Sequence, residues 1–222
     1  RKILRVRARY EINNNSYARG IVETLANDCV GTGPRLQMLS SDEELNRQIE
    51  RDFAIWCEQV HLAEKLRTVR IAQCQDGETF ILMAQNPNLP NDDVKLDVQL
   101  IEADRVTDEY FNSDPHRVDG ITFDEYGNLH SYRVLKYHPG SEWANSVEAT
   151  EISAENIIHV FRADRPGQHR GIPEITPALP LFAQLRRFTL AVLSAAEAAA
   201  DFAGILYTDA PANGEADSVD AM

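Results

Sequence analysis

The sequence predicts an α+β fold in which helices pack on short, mostly antiparallel strands and a long helix follows them. The prediction depends on the apolar spacing in three parts of the chain. Residues 16–75 carry apolar side chains at helical spacing, residues 78–161 alternate with the period of strands, and residues 177–203 return to the helical period. The chain therefore has a strand-rich middle between two helical parts.

Composition and charge argue against several classes of protein. Of the 222 residues, 43% are hydrophobic, which is enough for a core and excludes wholesale disorder. The net charge of -13, from 35 acidic and 22 basic side chains, is the opposite of what binding to nucleic-acid phosphates requires. It is compatible with a protein that surrounds DNA without holding it tightly, because like charges repel.

The cysteines indicate the redox compartment of the protein, and the chain ends indicate the extent of the sequence. Cys29, Cys57 and Cys74 are odd in number and form no C-x-x-C pair, so we expect buried thiols in a reducing, intracellular setting. No stretch approaches the roughly 20 apolar residues of a membrane span. The basic start lacks the apolar core of a signal peptide. Because the chain opens inside a basic run and closes on a polar tail, we expect it to be part of a longer protein.

The first predicted helix begins at Ser16, which can cap its amino end, and ends at Gly31. A short strand is predicted to follow over residues 35–39. The apolar side chains that repeat at helical spacing on this helix, and that we expect to face the core, are Tyr17, Ile21, Leu25 and Cys29.

The second predicted helix has the clearest amphipathic pattern of the chain. Ser41 and Glu44 form a capping box at its start. A third helix is predicted from about Leu62 to Gln75, where an Asp-Gly turn follows. The apolar stripe of the second helix consists of Leu45, Ile49, Phe53, Trp56 and Val60.

The middle of the chain predicts strands. Residues 78–84 and 94–102 form two of them, the second with strict alternation of apolar side chains. Residues 120–137 predict a hairpin, because Gly127 in the turn tolerates a positive φ. One further strand is predicted over residues 151–161.

The last predicted element is a helix of roughly 27 residues from Pro177, about 40 Å long. Thr176 can cap it, Pro177 suits its first position, and Pro180 in the first turn costs at most one backbone hydrogen bond. Its second half presents small side chains that invite close packing on a neighbour. These are Ala195, Ala196, Ala199 and Ala200.

The most concentrated chemistry lies in a basic segment between the last strand and the long helix, from His159 to Gly171. One hypothesis is a metal-dependent phosphodiesterase or nuclease in the His159–Arg170 segment, in which arginine holds phosphate and histidine moves protons. Such a site needs clustered carboxylates for the metal, and the segment supplies only Asp164. The alternative is a structural corner in which Gly167 and Gly171 let the chain turn, and this alternative is favoured.

Other motifs are weaker. The glycines near Gly31 follow a helix and lack a Gly-Lys-Ser/Thr sequence, so they do not indicate a nucleotide site. Asp76 and Glu78 flank a glycine in the manner of a cation-binding turn, but no further ligands follow. A loop that offers metal ligands by chance contains Asp114, His116 and Asp119. No catalytic residue, cofactor site or metal site is predicted.

Several blocks of the sequence, in one order, resemble a known family. Arg9, Asn13 and Asn14 approximate an Arg-x-x-x-Asn-Asn entry to a helix that ends in "VGTG". "DGETF" and "GITFDEYGNLHSYRVLKYHPG" follow, and "IIHVFRADRPGQHRGIPEITPAL" contains the most specific corner, Gly-Gln-x-Arg-Gly. Together these blocks resemble portal proteins of tailed phages of the lambda type. The resemblance covers nearly the whole chain.

The resemblance implies a structural function without enzymatic activity or cofactors. Portal proteins form a ring, usually of twelve subunits, at one capsid vertex, through which a terminase drives double-stranded DNA. The expected partners are other copies of the chain, double-stranded DNA that passes through the channel without sequence-specific contacts, the terminase large subunit, and capsid and head-tail adaptor proteins, with no membrane. The expected location is the virion vertex, and the host cytoplasm during assembly. A ring-forming scaffold of non-viral origin remains an alternative.

The resemblance also divides the chain. Residues 1–171 resemble the wing domain, residues 172–204 the stem helix, and residues 205–222 the beginning of a truncated clip domain. The alanine patch of the long helix is then expected to contact another subunit. The wing-to-stem hinge, with Arg165 and Arg170 paired to acidic neighbours, is expected at Arg165, Gly167, Gln168, Arg170 and Gly171.

Overall fold

The computed structural model describes residues 1–90, 94–108, 114–141, 148–202 and 204. The chain forms two compact units, Arg1–Phe182 and Ala183–Met222. The described part of the second unit is mainly the continuation of the last helix, which begins in the first unit. Helices, antiparallel sheets and a long carboxyl-terminal helix confirm the predicted α+β class. The part of the predicted long helix that falls on Ala203, and the clip-like residues 205–222, lie outside the described residues.

The described elements follow in chain order. The helices are α1 (Lys2–Asn14), α2 (Ser16–Val30), α3 (Glu43–Gln59), α4 (Leu62–Gln75) and α5 (Leu179–Asp201). The strands are β1 (Glu78–Gln85), β2 (Leu96–Ile101), β3 (Arg117–Val118), β4 (Ile121–Phe123), β5 (Leu129–Leu135), β6 (Ala149–Ser153) and β7 (Ile157–Phe161). Short 3₁₀ turns span Ala103–Arg105, Ala154–Asn156 and Thr176–Ala178. Among the described residues no helix has the length and apolar character that crossing a membrane requires.

The helices of the first unit pack around α4, which contacts α1, α2 and α3. One core lies among these helices and the start of α5, and it consists of Ala8, Ile12, Ala18, Val22, Cys74, Ile175 and Phe182. The sequence analysis missed α1 because its buried face mixes small and charged side chains, Arg5, Ala8, Glu11 and Ile12. Such a face lacks the apolar stripe that reveals a helix.

The strands form two antiparallel sheets, with the orders β2-β1-β7 and β3-β4-β5-β6. The predicted β4–β5 hairpin is confirmed, and Gly127 in its turn has φ 81°. The single strand predicted over residues 151–161 is wrong, because a turn at Ala154–Asn156 divides it into β6 and β7, which lie in different sheets. A second core joins the sheets and consists of Phe80, Ile101, Val106, Ile121, Tyr132, Val134 and Ile157.

The helix caps differ from the prediction by one residue. Asn15 caps α2 through hydrogen bonds from the Tyr17 and Ala18 backbone N–H groups to its side-chain oxygen, so Ser16 is not the cap. Asp42 caps α3 in the same way, which replaces the predicted Ser41 box. In each case the neighbouring acceptor reaches the second and third free N–H groups of the helix.

Three further expectations are corrected. The predicted strand over residues 35–39 is absent, and this segment has no regular secondary structure. Thr176 makes no capping hydrogen bond. Cys29 is exposed and Cys57 is half-buried, so of the three free thiols only Cys74 is buried. The helix predicted from Leu62 to Gln75 is confirmed as α4.

The buried face of α2 is the reverse of the predicted one. Ala18, Val22 and Ala26 are buried, because small side chains allow α2 to approach α1 and α4 closely. The predicted core residues Tyr17, Ile21, Leu25 and Cys29 are exposed.

Two glycines hold the end of α4 and the segment before α5 in direct backbone contact. A Cβ atom at Gly171 would lie 2.0 Å from the Gly77 carbonyl oxygen. A Cβ atom at Gly77 would lie 2.3 Å from the Ile172 carbonyl carbon. Any side chain at either position forces two backbone segments apart.

We expect Gly171→Ala to lower the free energy of unfolding by about 3 kcal/mol, because its methyl group has no space. The matched control is Gly20→Ala in α2, where no atom lies within 4 Å of the added Cβ. That control should raise stability by about 1 kcal/mol, since alanine is the better helix former. Thermal unfolding of the two variants measures both effects, and a neutral Gly171→Ala would contradict the close backbone contact.

Candidate functional site

The predicted corner between β7 and α5 has an exposed half and a buried half. In the exposed half Arg162 pairs with Asp164 at 2.8 Å. The Gln168 amide closes this half, since its Nε2 donates to the carbonyls of Arg162 (3.2 Å) and Arg170 (2.9 Å) and its Oε1 accepts from the Asp164 N–H (3.1 Å). Gly167 has φ 69° and open space around its Cα. This half is a loop held by one side chain.

Arg165 departs from the expected pairing. Its side chain is exposed, and among the described residues it makes no ion pair. Of the two arginines expected to pair with acidic neighbours, the structure places only Arg170 against one, Glu78.

Arg170 anchors the buried half of the corner. Its side chain is almost fully buried, and its Nε donates to Glu78 Oε2 at 2.8 Å. Its terminal nitrogens donate to the carbonyls of Val106 (2.9 Å), Ala103 (3.0 Å) and Asp119. The guanidinium also lies over the Phe80 ring, 5.2 Å from its centre. A guanidinium that is engaged on this many sides is not available to a substrate phosphate.

Glu78 at the start of β1 is the centre of this arrangement and has no exposed surface. Its Oε1 accepts from Arg5 at 2.9 Å, and its Oε2 accepts from Arg170, from the Gly171 N–H at 2.8 Å and from His159 Nε2 at 3.1 Å. Burial alone would raise the pKa of Glu78. The hydrogen bonds from His159, Arg170 and Gly171 and the Arg170 charge outweigh burial and lower this pKa to about 2. Glu78 is therefore an ionised, buried carboxylate.

His159 lies on β7 with its ring stacked between two aromatic rings. The ring centres are 4.2 Å from Phe80 and 4.3 Å from Phe161. Burial lowers the pKa of His159, and the hydrogen bond to Glu78 opposes that effect. His159 is a buried partner of Glu78, as the structural-corner alternative expects. His169 lies outside this cluster, exposed, with its ring 4.4 Å from the ring of Phe123.

A row of arginines on α1 completes the cluster, and sequence analysis missed it. Arg1, Arg5 and Arg9 are four residues apart and therefore share one face of the helix. They pair with acidic residues from three other parts of the chain. Arg1 meets Asp119 at 2.9 Å, Arg5 meets Glu78 and Asp104, and Arg9 meets Asp76 (2.6 Å), Glu102 (2.7 Å) and Asp104 (2.7 Å). The four-residue spacing of the arginines could have predicted that they share one helix face, but it does not predict which carboxylates they pair with.

In these contacts, arginines occupy carboxylates of the motifs that the sequence offered as cation sites. Asp76 and Glu78 face arginines, and Asp119 pairs with Arg1. In the described ranges one acidic-histidine cluster has metal-ligand geometry, formed by Glu102, Asp104 and His138. Arg5 and Arg9 already neutralise its two carboxylates, so it is an ion-pair network.

The model of a protein family described as phage portal protein, lambda family, matches residues 1–221. The chain belongs to this family. No curated protein matches the chain. The family has a structural function in DNA packaging and as a head-tail connector, in agreement with the resemblance of the sequence blocks.

In this portal-family chain the predicted site residues fall in separate environments. Arg165, Gly167 and Gln168 lie in the exposed half of the corner, whereas Arg170 and Gly171 lie in its buried half. The predicted subunit-contact residues are exposed on the part of α5 that belongs to the second unit, and they are Ala195, Ala196, Ala199 and Ala200.

We expect Glu78→Gln to lower the free energy of unfolding by about 3–5 kcal/mol at pH 7, because it leaves Arg170 buried without a counter-charge and removes one of the two carboxylates that Arg5 pairs with. The matched control Glu125→Gln alters an exposed carboxylate and should be neutral. Denaturant unfolding of both variants measures the difference. Equal stability of the two would contradict the structural importance of the Glu78 cluster.

The pH dependence of stability gives an independent test. The pKa of Glu78 is about 2 in the folded chain against 4.5 ordinarily, so its stabilisation is complete above about pH 4.5 and is lost as the pH falls through about 2. The pKa of His159 is lowered from its ordinary 6.5, so in acid the unfolded chain binds a proton at this residue more readily than the folded chain does. Stability therefore also begins to fall below about pH 6.5. We expect stability to fall with acid, and Glu78→Gln to reduce the loss below about pH 4.5. The rest of the loss comes from carboxylates such as Asp97 and Asp104, whose pKa values are lowered by their lysine and arginine partners. A stability curve that is flat in acid would contradict both shifts.

Proposed function

We propose that the full-length protein forms a closed ring, of twelve copies, at one vertex of a phage capsid. Double-stranded DNA passes through the channel of this ring during packaging and ejection, without sequence-specific contacts. The observation that carries the proposal is the family match over essentially the whole chain. The net charge of -13 supports a channel that repels phosphate and so lets DNA slide.

In the proposed division of labour, residues 1–171 are the wing, residues 172–204 the stem and residues 205–222 the beginning of the clip. The amino-acid pattern of α5 supports the stem assignment. Large apolar side chains on this helix are exposed in several directions, among them Leu185, Phe188, Leu190 and Leu193. A helix that is apolar on most sides needs neighbours to cover it, and other copies of the chain would supply them.

The proposed wing-to-stem hinge lies at the corner. Bending there would involve Arg165, Gly167 and Gln168 in the exposed half, where a single amide side chain holds the loop closed. Arg170 and Gly171 would form the fixed base of the hinge, because both are held by Glu78.

The protein is proposed to act without catalysis. The terminase large subunit would supply the packaging motor, and capsid and head-tail adaptor proteins would dock on the ring. The protein would assemble in the host cytoplasm and remain in the virion. The burial of Arg170 and His159 supports this proposal over the nuclease hypothesis, since neither group can reach a substrate in the folded chain.

Native mass spectrometry with negative-stain imaging of the full-length protein tests the ring. We expect a closed oligomer with a central hole wide enough for duplex DNA. A monomer or dimer across several salt and protein concentrations would contradict the proposal. Divalent-metal-dependent cleavage of DNA that His169→Ala abolishes would instead favour the nuclease hypothesis.

Ala196→Glu tests the stem assignment. A carboxylate in a close-packed alanine contact between subunits should reduce ring formation at least tenfold, because a buried unpaired charge is costly. The matched control is Ser194→Glu, which lies on the polar stripe of α5 that Glu197 and Asp201 share. Ring formation by Ser194→Glu should stay close to wild type. Equal effects of the two substitutions would contradict the alanine contact.

A further inference from the structure

The outer face of α1 carries an apolar and basic surface. Ile3 is 69% exposed, Val6 is 66% exposed and Tyr10 is 55% exposed. Lys2 and Arg7 lie beside them and are also exposed. These five residues share one face, because neighbours on a helix surface are three or four residues apart. We name this surface the α1 patch.

The α1 patch reverses the usual distribution of side chains between core and surface. Three large apolar residues of α1, Ile3, Val6 and Tyr10, face outward, while Ala8, Ile12 and charged side chains face inward. The same reversal on α2 exposes Tyr17 and Ile21. A soluble monomer rarely exposes large apolar residues at regular helical spacing, so the pattern indicates a surface that another protein covers.

A second exposed surface lies where the chain enters α3. Leu39 is 88% exposed, and Leu36 and Leu45 are also exposed. Glu43 and Glu44, in the first turn of α3, are exposed carboxylates beside them, and Glu43 also pairs with Arg47 at 3.1 Å. We name these five residues the 36–45 patch. The 36–45 patch is acidic, whereas the α1 patch is basic.

The 36–45 patch is held in a defined conformation although its segment has no regular secondary structure. The Met38 N–H donates to Glu50 Oε1 at 2.8 Å, and the Asn46 amide donates to the Ser40 carbonyl at 3.0 Å. Asp42 caps α3 between them. Leu39 is thus presented to solvent by a fixed loop, which is the arrangement of an anchor that fills a pocket on a partner.

The α1 patch lies on α1, and the 36–45 patch lies on the start of α3 and the segment before it; both helices contact α4. α1 packs against α2 and α4, and α3 packs against α4. A contact between two different patches of identical chains is head-to-tail, and repeated head-to-tail contacts form a ring where the rotation between copies closes. The family to which the chain belongs provides the expectation of copies that meet in this way.

We propose that in the ring the 36–45 patch of one copy docks on the α1 patch of the next copy. Leu39 would pack among Ile3, Val6 and Tyr10, and the Glu43 and Glu44 carboxylates would face Lys2 and Arg7. Apolar contact supplies the affinity, and the opposite charges fix the orientation. This inference rests on the proposed function, because it names the contact that the ring would use.

A charge exchange in the full-length protein tests the contact. Arg7→Glu and Glu44→Arg, each alone, should raise the protein concentration for half-assembly by roughly tenfold, because each places like charges opposite one another. The Arg7→Glu/Glu44→Arg double variant should return to within about threefold of wild type, since it restores an opposite pair. Glu125→Arg, which reverses an exposed carboxylate in the β4–β5 turn, is the control and should be neutral.

Two further measurements separate a contact from a folding defect. In about 1 M salt the two single-variant effects should shrink, because the charges are screened beyond about 3 Å. Leu39→Ser changes a side chain that the monomer leaves 88% exposed, so the thermal unfolding of the monomer should not change while assembly weakens roughly tenfold.

The outcomes have distinct meanings. If wild type forms rings and neither Leu39→Ser nor the single charge variants alter assembly, the proposed contact is wrong and the ring stands. If the singles weaken assembly and the double does not recover, the two patches do not meet, and the proposal is likewise overturned. If wild type forms no ring under any condition, the proposed function itself fails.

Discussion

Glu78 is a carboxylate with no exposed surface, and it remains ionised only because four donors from three parts of the chain replace the water it has lost. Each donor is thereby fixed: Arg5 orients α1, His159 orients β7, and Arg170 with the Gly171 N–H orients the corner before α5. The three side-chain donors are themselves buried, so none of them can leave without exposing another group to an apolar environment. The position of α1, the sheet and the corner are consequences of one desolvated charge.

The backbone reinforces this charge cluster. Gly77 and Gly171 lie in direct contact beside Glu78, which brings the Gly171 N–H within reach of the carboxylate. The cluster continues outward through Arg9 and Arg1 to Asp76, Glu102, Asp104 and Asp119. An acidic protein thus uses the basic residues of its first helix to gather carboxylates that would otherwise repel one another. The interior of the fold is organised by charge as much as by apolar contact.

The outer surface of α1 and α2 carries large apolar side chains. The buried faces of α1 and α2 consist largely of alanines and charged side chains, with Ile12 and Val22 among them. Most of the large apolar residues of these helices remain outside, and they are Ile3, Val6, Tyr10, Tyr17, Ile21 and Leu25. Such an arrangement is unfavourable for an isolated chain and sensible for a subunit whose neighbours cover it. The large apolar side chains that α5 exposes on several sides are likewise unfavourable for an isolated chain and sensible for a subunit whose neighbours cover them. Membership of a ring-forming family and the unsatisfied apolar surface therefore support one another without depending on the same observation.

The sequence by itself determined the α+β class, the third helix, the β4–β5 hairpin, the long last helix and the family, because these depend on local spacing and on short collinear motifs. It did not determine the buried face of α2, the existence of α1 or the partners of Arg170. Local pattern assigns the largest apolar stripe to the core, whereas here the core selects alanines for close helix contact and the large residues stay outside. Glu78 itself bonds to residues up to 93 positions away, and no periodicity in the sequence indicates which distant charges meet. Only the tertiary structure could decide that.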